Sequence, residues 1–189
     1  QDISSMLAGE YTAPKAGDTI VDVCGAPGGK SINAALKMLE QGDCGRVIAR
    51  DLSDYKVALI DENIKRLNIT NIQTQVYDAL DCDESLINKA DIVIADLPCS
   101  GLGIIGRKPD IKYNASPEKL QSLVDLQRDI LKVVSRYVKS GGVLMYSTCT
   151  INRAENEDNA DWICKESGFT KDGEYHQLLP ANNSGMDGF

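Results

Sequence analysis

Two cysteines occupy positions suited to covalent chemistry: Cys99 in DLPCSGLG and Cys149 in YSTCT, each just past a short apolar run. Asp96 ends the same run as Cys99, while Asp51 and Asp78 end two others. Another run leads into the glycine-rich segment CGAPGGKS, Cys24 to Ser31. If these runs are parallel strands of one sheet, three carboxylates and two thiols converge on one rim beside a glycine turn. A thiolate there is a nucleophile, and nearby carboxylates are acceptors for hydroxyl, amine or base groups. A single acid at a strand end is often only a turn former, and a single cysteine is usually a small apolar packing residue. Cys164, on an apolar helical face, is read that way, and Cys44 and Cys82 are read as loop thiols.

The glycine segment ends in Gly29-Lys30-Ser31, as a phosphate-binding P-loop does. The P-loop spacing G-x-x-x-x-G-K-[ST] would require glycine at the position of Cys24, and the nearest glycine, Gly25, is one place late. Pro27 also removes an N–H from the middle of the loop. The dinucleotide pattern G-x-G-x-x-G fails as well, which argues against nucleotide phosphates and leaves ATP hydrolysis a poor reading. Yet Asp51 lies roughly 20 residues beyond the loop, where an acid binds ribose hydroxyls. A nucleoside without phosphates fits this pattern. S-adenosylmethionine is such a molecule, with a ribose diol, an adenine and a methionine tail that reaches the glycine turn.

A methyl donor next to two thiols suggests one reaction. Carbon 5 of a pyrimidine is a poor nucleophile. Addition of a thiolate at carbon 6 makes carbon 5 enamine-like, and a carboxyl group at the ring N3 helps hold the developing charge. The carbon 5 proton and the thiol must then leave, a step that a second thiol can assist.

The elements that must place these groups alternate along the chain. TIVDVCGA, RVIARDL, NIQTQVYDA, DIVIADLP and GGVLMYSTC read as five strands. SINAALKMLEQ, YKVALIDENIKRL, SPEKLQSLVDLQRDILKVVSRYVKS and RAENEDNADWICKESG read as helices. Ser116 is the expected N-cap of the long third helix with Pro117 its first residue, Gly141 its expected stop, and Gly168 the stop of the fourth. The expected fold is α/β: a doubly wound, mostly parallel sheet with helices on both faces.

The 189 residues suit one domain, and 42% hydrophobic with 25% charged residues is ordinary for a globular chain. No apolar run approaches the roughly 20 residues that span a bilayer, and residues 1–11 do not read as a secretion signal. The expectation is a cytoplasmic protein with reduced thiols and no membrane partner. Six cysteines without a CxxC pair, and a single histidine, His176, argue against a metal site. The formal net charge of −8 argues against a broad electrostatic grip on nucleic acid and leaves room for a local basic face. Arg128, Lys132, Arg136 and Lys139 recur at helical spacing and read as a solvated helix face.

VDVCGAPGGKS, DLPCSGLGIIGRKPDIKY and GGVLMYSTCTINRAENE resemble three motifs of the Sun/RsmB-type RNA cytosine-5 methyltransferases. QDISSML and LLPANNSGMDGF are similar to the flanks of that catalytic domain. The resemblance implies a Rossmann-like S-adenosylmethionine-dependent methyltransferase fold acting on RNA, small-subunit rRNA first and tRNA next. It implies that Cys149 attacks cytosine and that Cys99 assists release of the methylated adduct. Asp96 would bind the target base, with Lys30 close to it and to the methionine end of the cofactor. Cys24, Gly25, Ala26, Pro27, Gly28, Gly29 and Lys30 would wrap the methionine and ribose, Asp51 would bind the ribose hydroxyls, and Asp78 would lie by the adenine; Asp96 also borders the cofactor. Arg107, Lys108 and Lys112, in the loop after Cys99, are the expected contacts to RNA phosphates. Gly25 replaces the family's usual alanine, and Gly106 and Lys108 stand where the family often has Arg and His. The family's final strand would begin at Asp187-Gly188-Phe189. Residues 1–189 are thus expected to be a single catalytic domain cut from a longer protein. The competing expectation is a fragment that holds the cofactor but needs a missing N-terminal RNA-binding region for activity.

Overall fold

The computed structural model of the chain describes residues 7, 9–42, 45–178 and 188–189. Most of QDISSML, Cys44, and the stretch from Leu179 to Asp187 lie outside the described residues. Among the described residues five strands form one sheet: β1 (Thr19–Asp22), β2 (Arg46–Asp51), β3 (Ile72–Val76), β4 (Ala90–Asp96) and β5 (Val138–Ser147). Their order is β3-β2-β1-β4-β5 and every pairing is parallel. The helices are α1 (Gly29–Glu40), α2 (Asp54–Leu67), α3 (Ile111–Asn114), α4 (Pro117–Val134) and α5 (Glu157–Ser167).

Side chains alternate across a strand, so neighbouring apolar residues feed opposite faces. Ile20, Val47, Ile92 and Ile94 pack with Ile32, Ala35 and Met38 of α1. Their neighbours Val21, Ile48, Val93 and Ala95 pack on the other face with Ile130, Leu131 and Val134 of α4 and Ile163 of α5. Both faces are covered, which is why these strands are continuously apolar. The expected doubly wound architecture is the observed one, and the sheet is entirely parallel. Ordering β1 at the centre puts the switch point between β1 and β4, where such sheets bind ligands.

Two helix ends follow the sequence expectation. Ser116 caps α4 through the Lys119 N–H with Pro117 in its first turn, and Gly168 closes α5 in the left-handed conformation at φ +71°. The far end of α4 does not. The helix stops at Val134, a 3-10 turn covers Ser135–Tyr137, and β5 begins at Val138 rather than Gly141. Val138 pairs with Ala90, and the register then slips before Ile92 pairs with Val143. Gly141 (φ +76°) belongs to that irregularity, and at Gly142 a Cβ would lie 2.8 Å from the Asp91 carbonyl oxygen. These glycines serve a bulge inside a strand, not a helix stop. The last expected helix, α5, is likewise shorter at its start, because Arg153–Glu155 form a separate 3-10 turn.

Among the described residues no helix is long and apolar enough to cross a membrane, and no cluster of three or more His, Cys, Asp or Glu is arranged to hold a metal ion. The described cysteines are free thiols; Cys164 is half-buried, and Cys82 packs against the α4 side of the core.

Candidate active site at the carboxyl edge of the sheet

The turn after β1 is closed by its own backbone. The Gly25 N–H donates to the Arg50 carbonyl at 2.7 Å, and the Gly28 N–H donates to the Gly25 carbonyl at 2.6 Å. The Ala26 N–H donates to Asp51 Oδ2 at 3.0 Å. Pro27, joined by a cis bond, has no N–H. Three N–H groups that a phosphate cradle would present outward are therefore already engaged, and a carboxylate sits among them. Gly28 sits at φ +103°, where a Cβ would press to 3.1 Å from Ile60, so glycine alone lets α1 start so close to α2.

Lys30 lies in the first turn of α1 and is only 7% exposed, with Nζ 2.5 Å from Asp96 Oδ2 at the end of β4. Ser147, opposite Asp96 in the register, donates its hydroxyl to Oδ1 at 2.8 Å. The Asp96 side chain keeps 30% exposure between those two donors. Phe189 places its ring 4.9 Å from Lys30 Nζ, and the Gly188 N–H donates to the Gly103 carbonyl at 2.8 Å.

Cys99 and Cys149 follow β4 and β5, and their sulfurs lie 3.2 Å apart. The Cys149 N–H points at Cys99 Sγ at 3.3 Å. The hydrogen bond from Cys99 holds the Cys149 thiol below the usual thiol range, burial opposing it. The same bond, reinforced by burial, pushes Cys99 far up. These opposite directions favour the thiolate on Cys149, with Cys99 as its hydrogen-bond donor. A cavity of about 170 Å³ bordered by Ile111, Leu120 and Leu123 opens on Cys99. Cys24 differs: burial, then the charges of Asp22 and Asp51, push its thiol up to about 12, so it is no nucleophile at neutral pH.

Asp51 Oδ1 accepts the Leu52 N–H at 2.8 Å and pairs with Lys56 at 2.9 Å. With Oδ2 on Ala26, Asp51 fastens the glycine turn to β2. Asp78 is not at the end of β3 but two residues past Val76, in a turn where its Oδ1 accepts the Leu80 N–H at 2.9 Å. The Tyr77 N–H donates to the Asp51 carbonyl at 3.0 Å, which brings this turn beside Asp51.

Arg107, Lys108 and Lys112 are all exposed; Arg107 and Lys108 lie in the loop after Cys99, while Lys112 falls in the short helix α3 rather than in the loop. Gly103, at the start of that loop, donates its N–H to the Cys149 carbonyl at 3.1 Å. On α4 the expected solvated basic face holds for Lys132 but not for Arg128. Arg128 donates to buried Asn159 at 2.8 Å and lies over the Trp162 ring.

Sequence reasoning missed four features. Asp22 lies buried under the glycine turn, accepting the Ser31 hydroxyl at 2.6 Å while Oδ1 has no hydrogen-bond partner. Arg50 pairs with Asp83 at 2.5 Å and stacks on Tyr77, bracing the Asp78 turn; a charge within the apolar run VIARD was the available signal. Tyr113, 79% exposed beside Lys112, offers a stacking face next to the basic loop. Glu155 and Gln127 are fully buried polar residues behind the two thiols.

Burial raises the Asp22 carboxyl from 3.8 to about 6, with the Ser31 hydrogen bond opposing. In that window the folded state keeps a proton that the unfolded state has lost. This stabilisation is complete below the unfolded value and is lost as pH rises through about 6. Asp22→Asn should escape this loss, gaining about 2 kcal/mol on the natural protein between about pH 4.5 and 7.5. Urea unfolding at the two pH values measures it; a difference independent of pH would refute the buried titration.

Residues 10–183 match the family described as 16S rRNA methyltransferase RsmB/F. The chain is 43% identical over 159 residues to the probable ribosomal RNA small subunit methyltransferase B of Bacillus subtilis (strain 168), covering 84% of this chain and 35% of that one. It thus spans about a third of that curated relative's length. Among solved structures it resembles PH0851 (TM-score 0.82, 31% identity, 97% of this chain and 40% of that one). It also resembles NSun6 from Pyrococcus horikoshii, determined with SFG (TM-score 0.80, 30% identity, 99% and 46%). With the three motifs gathered on one edge of the sheet and residues 10–183 matched by the family, the chain belongs to the 16S rRNA methyltransferase RsmB/F family.

Proposed function

We propose that this chain is the catalytic domain of an S-adenosylmethionine-dependent RNA methyltransferase that modifies carbon 5 of a cytosine in small-subunit rRNA through a covalent bond to Cys149. The observation that carries the reading is the paired thiols, 3.2 Å apart, on the strand ends next to the Lys30–Asp96 pair.

The site's donor set fits the cofactor. The N–H groups of the glycine turn are engaged internally, which disfavours phosphate. Asp51, Asp78 and the unpartnered Oδ1 of Asp22 are acceptors suited to hydroxyl and ammonium groups. Cys24 to Lys30 would hold the methionine and ribose, Asp51 the ribose hydroxyls, and Asp78 the adenine side. When bound, the cofactor supplies an electrophilic methyl group.

The protein's own residues prepare the base. Cys149, lowered by its hydrogen bond from Cys99, adds to carbon 6; the ring double-bond electrons move toward carbon 5 and a proton settles at N3. Asp96, held by Lys30 and Ser147, would bind N3 and the exocyclic amine of the base. After methylation the carbon 5 proton passes to a base, with solvent water as its final acceptor; its bonding electrons re-form the carbon 5–carbon 6 double bond, the carbon–sulfur bond breaks, Cys149 departs as a thiolate, and N3 gives up the proton it took. Cys99 is the adjacent group that assists this release. Arg107, Lys108 and Lys112 would contact the RNA backbone beside the site, with Tyr113 available to stack on a base.

The test uses the full-length protein, labelled S-adenosylmethionine and unmethylated small-subunit rRNA, with tRNA as the competing substrate. Nuclease digestion and mass spectrometry should find 5-methylcytidine in the rRNA. A methyl group on any other atom, or labelling of tRNA alone, would overturn the reading.

A further inference from the structure

The loops carrying the two thiols are joined from behind by a buried polar cluster centred on Glu155. Glu155 is 0% exposed and sits in the 3-10 turn that follows Cys149. Its Oε2 accepts the Ser100 backbone N–H at 2.8 Å and Gln127 Nε2 at 3.1 Å. Its Oε1 accepts Asn152 Nδ2 at 2.9 Å. Gln127 also donates to the Pro98 carbonyl at 2.9 Å and accepts from Asn159 at 2.8 Å. The hydroxyls of Ser100 and Thr150, the residues directly after the two cysteines, meet at 2.7 Å. Tyr146 donates its hydroxyl to the Glu155 carbonyl.

A buried carboxyl group is costly unless its oxygens are satisfied, and hydrocarbon would fill this space at lower cost. What hydrocarbon would not do is fix a direction. Three donors from α4, the Cys99 loop and the Cys149 loop converge on one carboxyl group, which locks the separation and orientation of those loops. The contact that depends on them is short: Sγ to Sγ at 3.2 Å, and the Cys149 N–H to Cys99 Sγ at 3.3 Å. A displacement of about 1 Å would break it, and misplacement on that scale costs about 10²-fold in rate.

We propose that Glu155 is a positioning residue for the nucleophile: by anchoring Ser100 it holds Cys99 against Cys149 and so sets the reactivity of Cys149. The inference rests on the reading of Cys149 as the attacking thiol. Its test has a readout besides turnover. In the full-length protein, alkylation of Cys149 by iodoacetamide is followed across pH by peptide mass spectrometry. Glu155→Ala should move the Cys149 profile to higher pH and slow its alkylation about tenfold near neutral pH, while kcat falls about 10²-fold with KM for RNA little changed. Glu155→Gln, which keeps an oxygen for the Ser100 N–H, should recover most of the natural profile. Asn152→Ala, at a half-buried site, removes one donor and should slow alkylation about twofold. A folded Glu155→Ala protein with the natural alkylation profile would overturn the proposal. If that variant does not fold, an unchanged profile in Asn152→Ala overturns it. A shifted profile in a protein whose Cys149→Ala variant still methylates RNA would instead leave the positioning intact and remove the nucleophile reading.

Discussion

Cys149→Ala in the full-length protein should abolish methyl transfer, with a fall of at least about 10³-fold, and should eliminate any denaturation-resistant RNA adduct. Without the sulfur there is no bond to carbon 6, and carbon 5 returns to its poorly nucleophilic state. Asp96, Lys30 and Ser147 remain in place, because their contacts do not involve the Cys149 side chain. Cofactor binding should therefore persist, which calorimetry with S-adenosylmethionine would show. A variant that binds the cofactor and methylates cytosine at the natural rate would refute the covalent route. The thiol is half-buried, so the lost packing is modest and a folding failure would not be mistaken for a chemical one.

The second large effect separates the two sulfurs. Cys99→Ala should still permit attack by Cys149 but stall the exit, so that RNA-linked protein accumulates on denaturing gels while turnover falls by about 10²-fold or more. Two consequences of one substitution oppose each other. Losing the Cys99 hydrogen bond removes the leading cause that lowers Cys149, so adduct formation should slow and its pH dependence move upward. Losing the group that assists release should nonetheless make the adduct outlast its formation. Time courses with RNA and cofactor, read both as adduct and as released 5-methylcytidine, distinguish these effects. Free turnover without a trapped adduct would count against Cys99 in release and would leave it the single role of tuning Cys149.

Much of the site could be read from local sequence because it is built from strand ends. Apolar β-branched runs identify buried strands, and whatever follows them in a parallel sheet falls on one edge. That logic placed Asp51, Asp96, Cys99 and Cys149 without knowledge of a single distance. It placed Asp78 less well, since β3 ends earlier and the acid serves a turn. It misplaced the end of α4 because Val133, Val134, Tyr137 and Val138 continue an apolar pattern that suits helix and strand alike; pairing of Val138 with Ala90 decides for strand.

By itself the sequence determined the layered α/β plan, the unsuitability of CGAPGGKS for phosphate, and the candidates for its chemistry, because each follows from residue type and near-neighbour spacing. Tertiary structure alone decided which candidates touch. Cys99 and Cys149 are 50 residues apart and meet only because β4 and β5 are neighbours in register. Lys30 meets Asp96 across 66 residues through the β1–β4 switch point. Arg50 with Asp83, and Gln127 with Glu155, are partners across 33 and 28 residues with no periodicity to announce them. Buried polar groups find their partners through the packing of whole elements, and that packing is a property of the sheet order, not of any local stretch of chain.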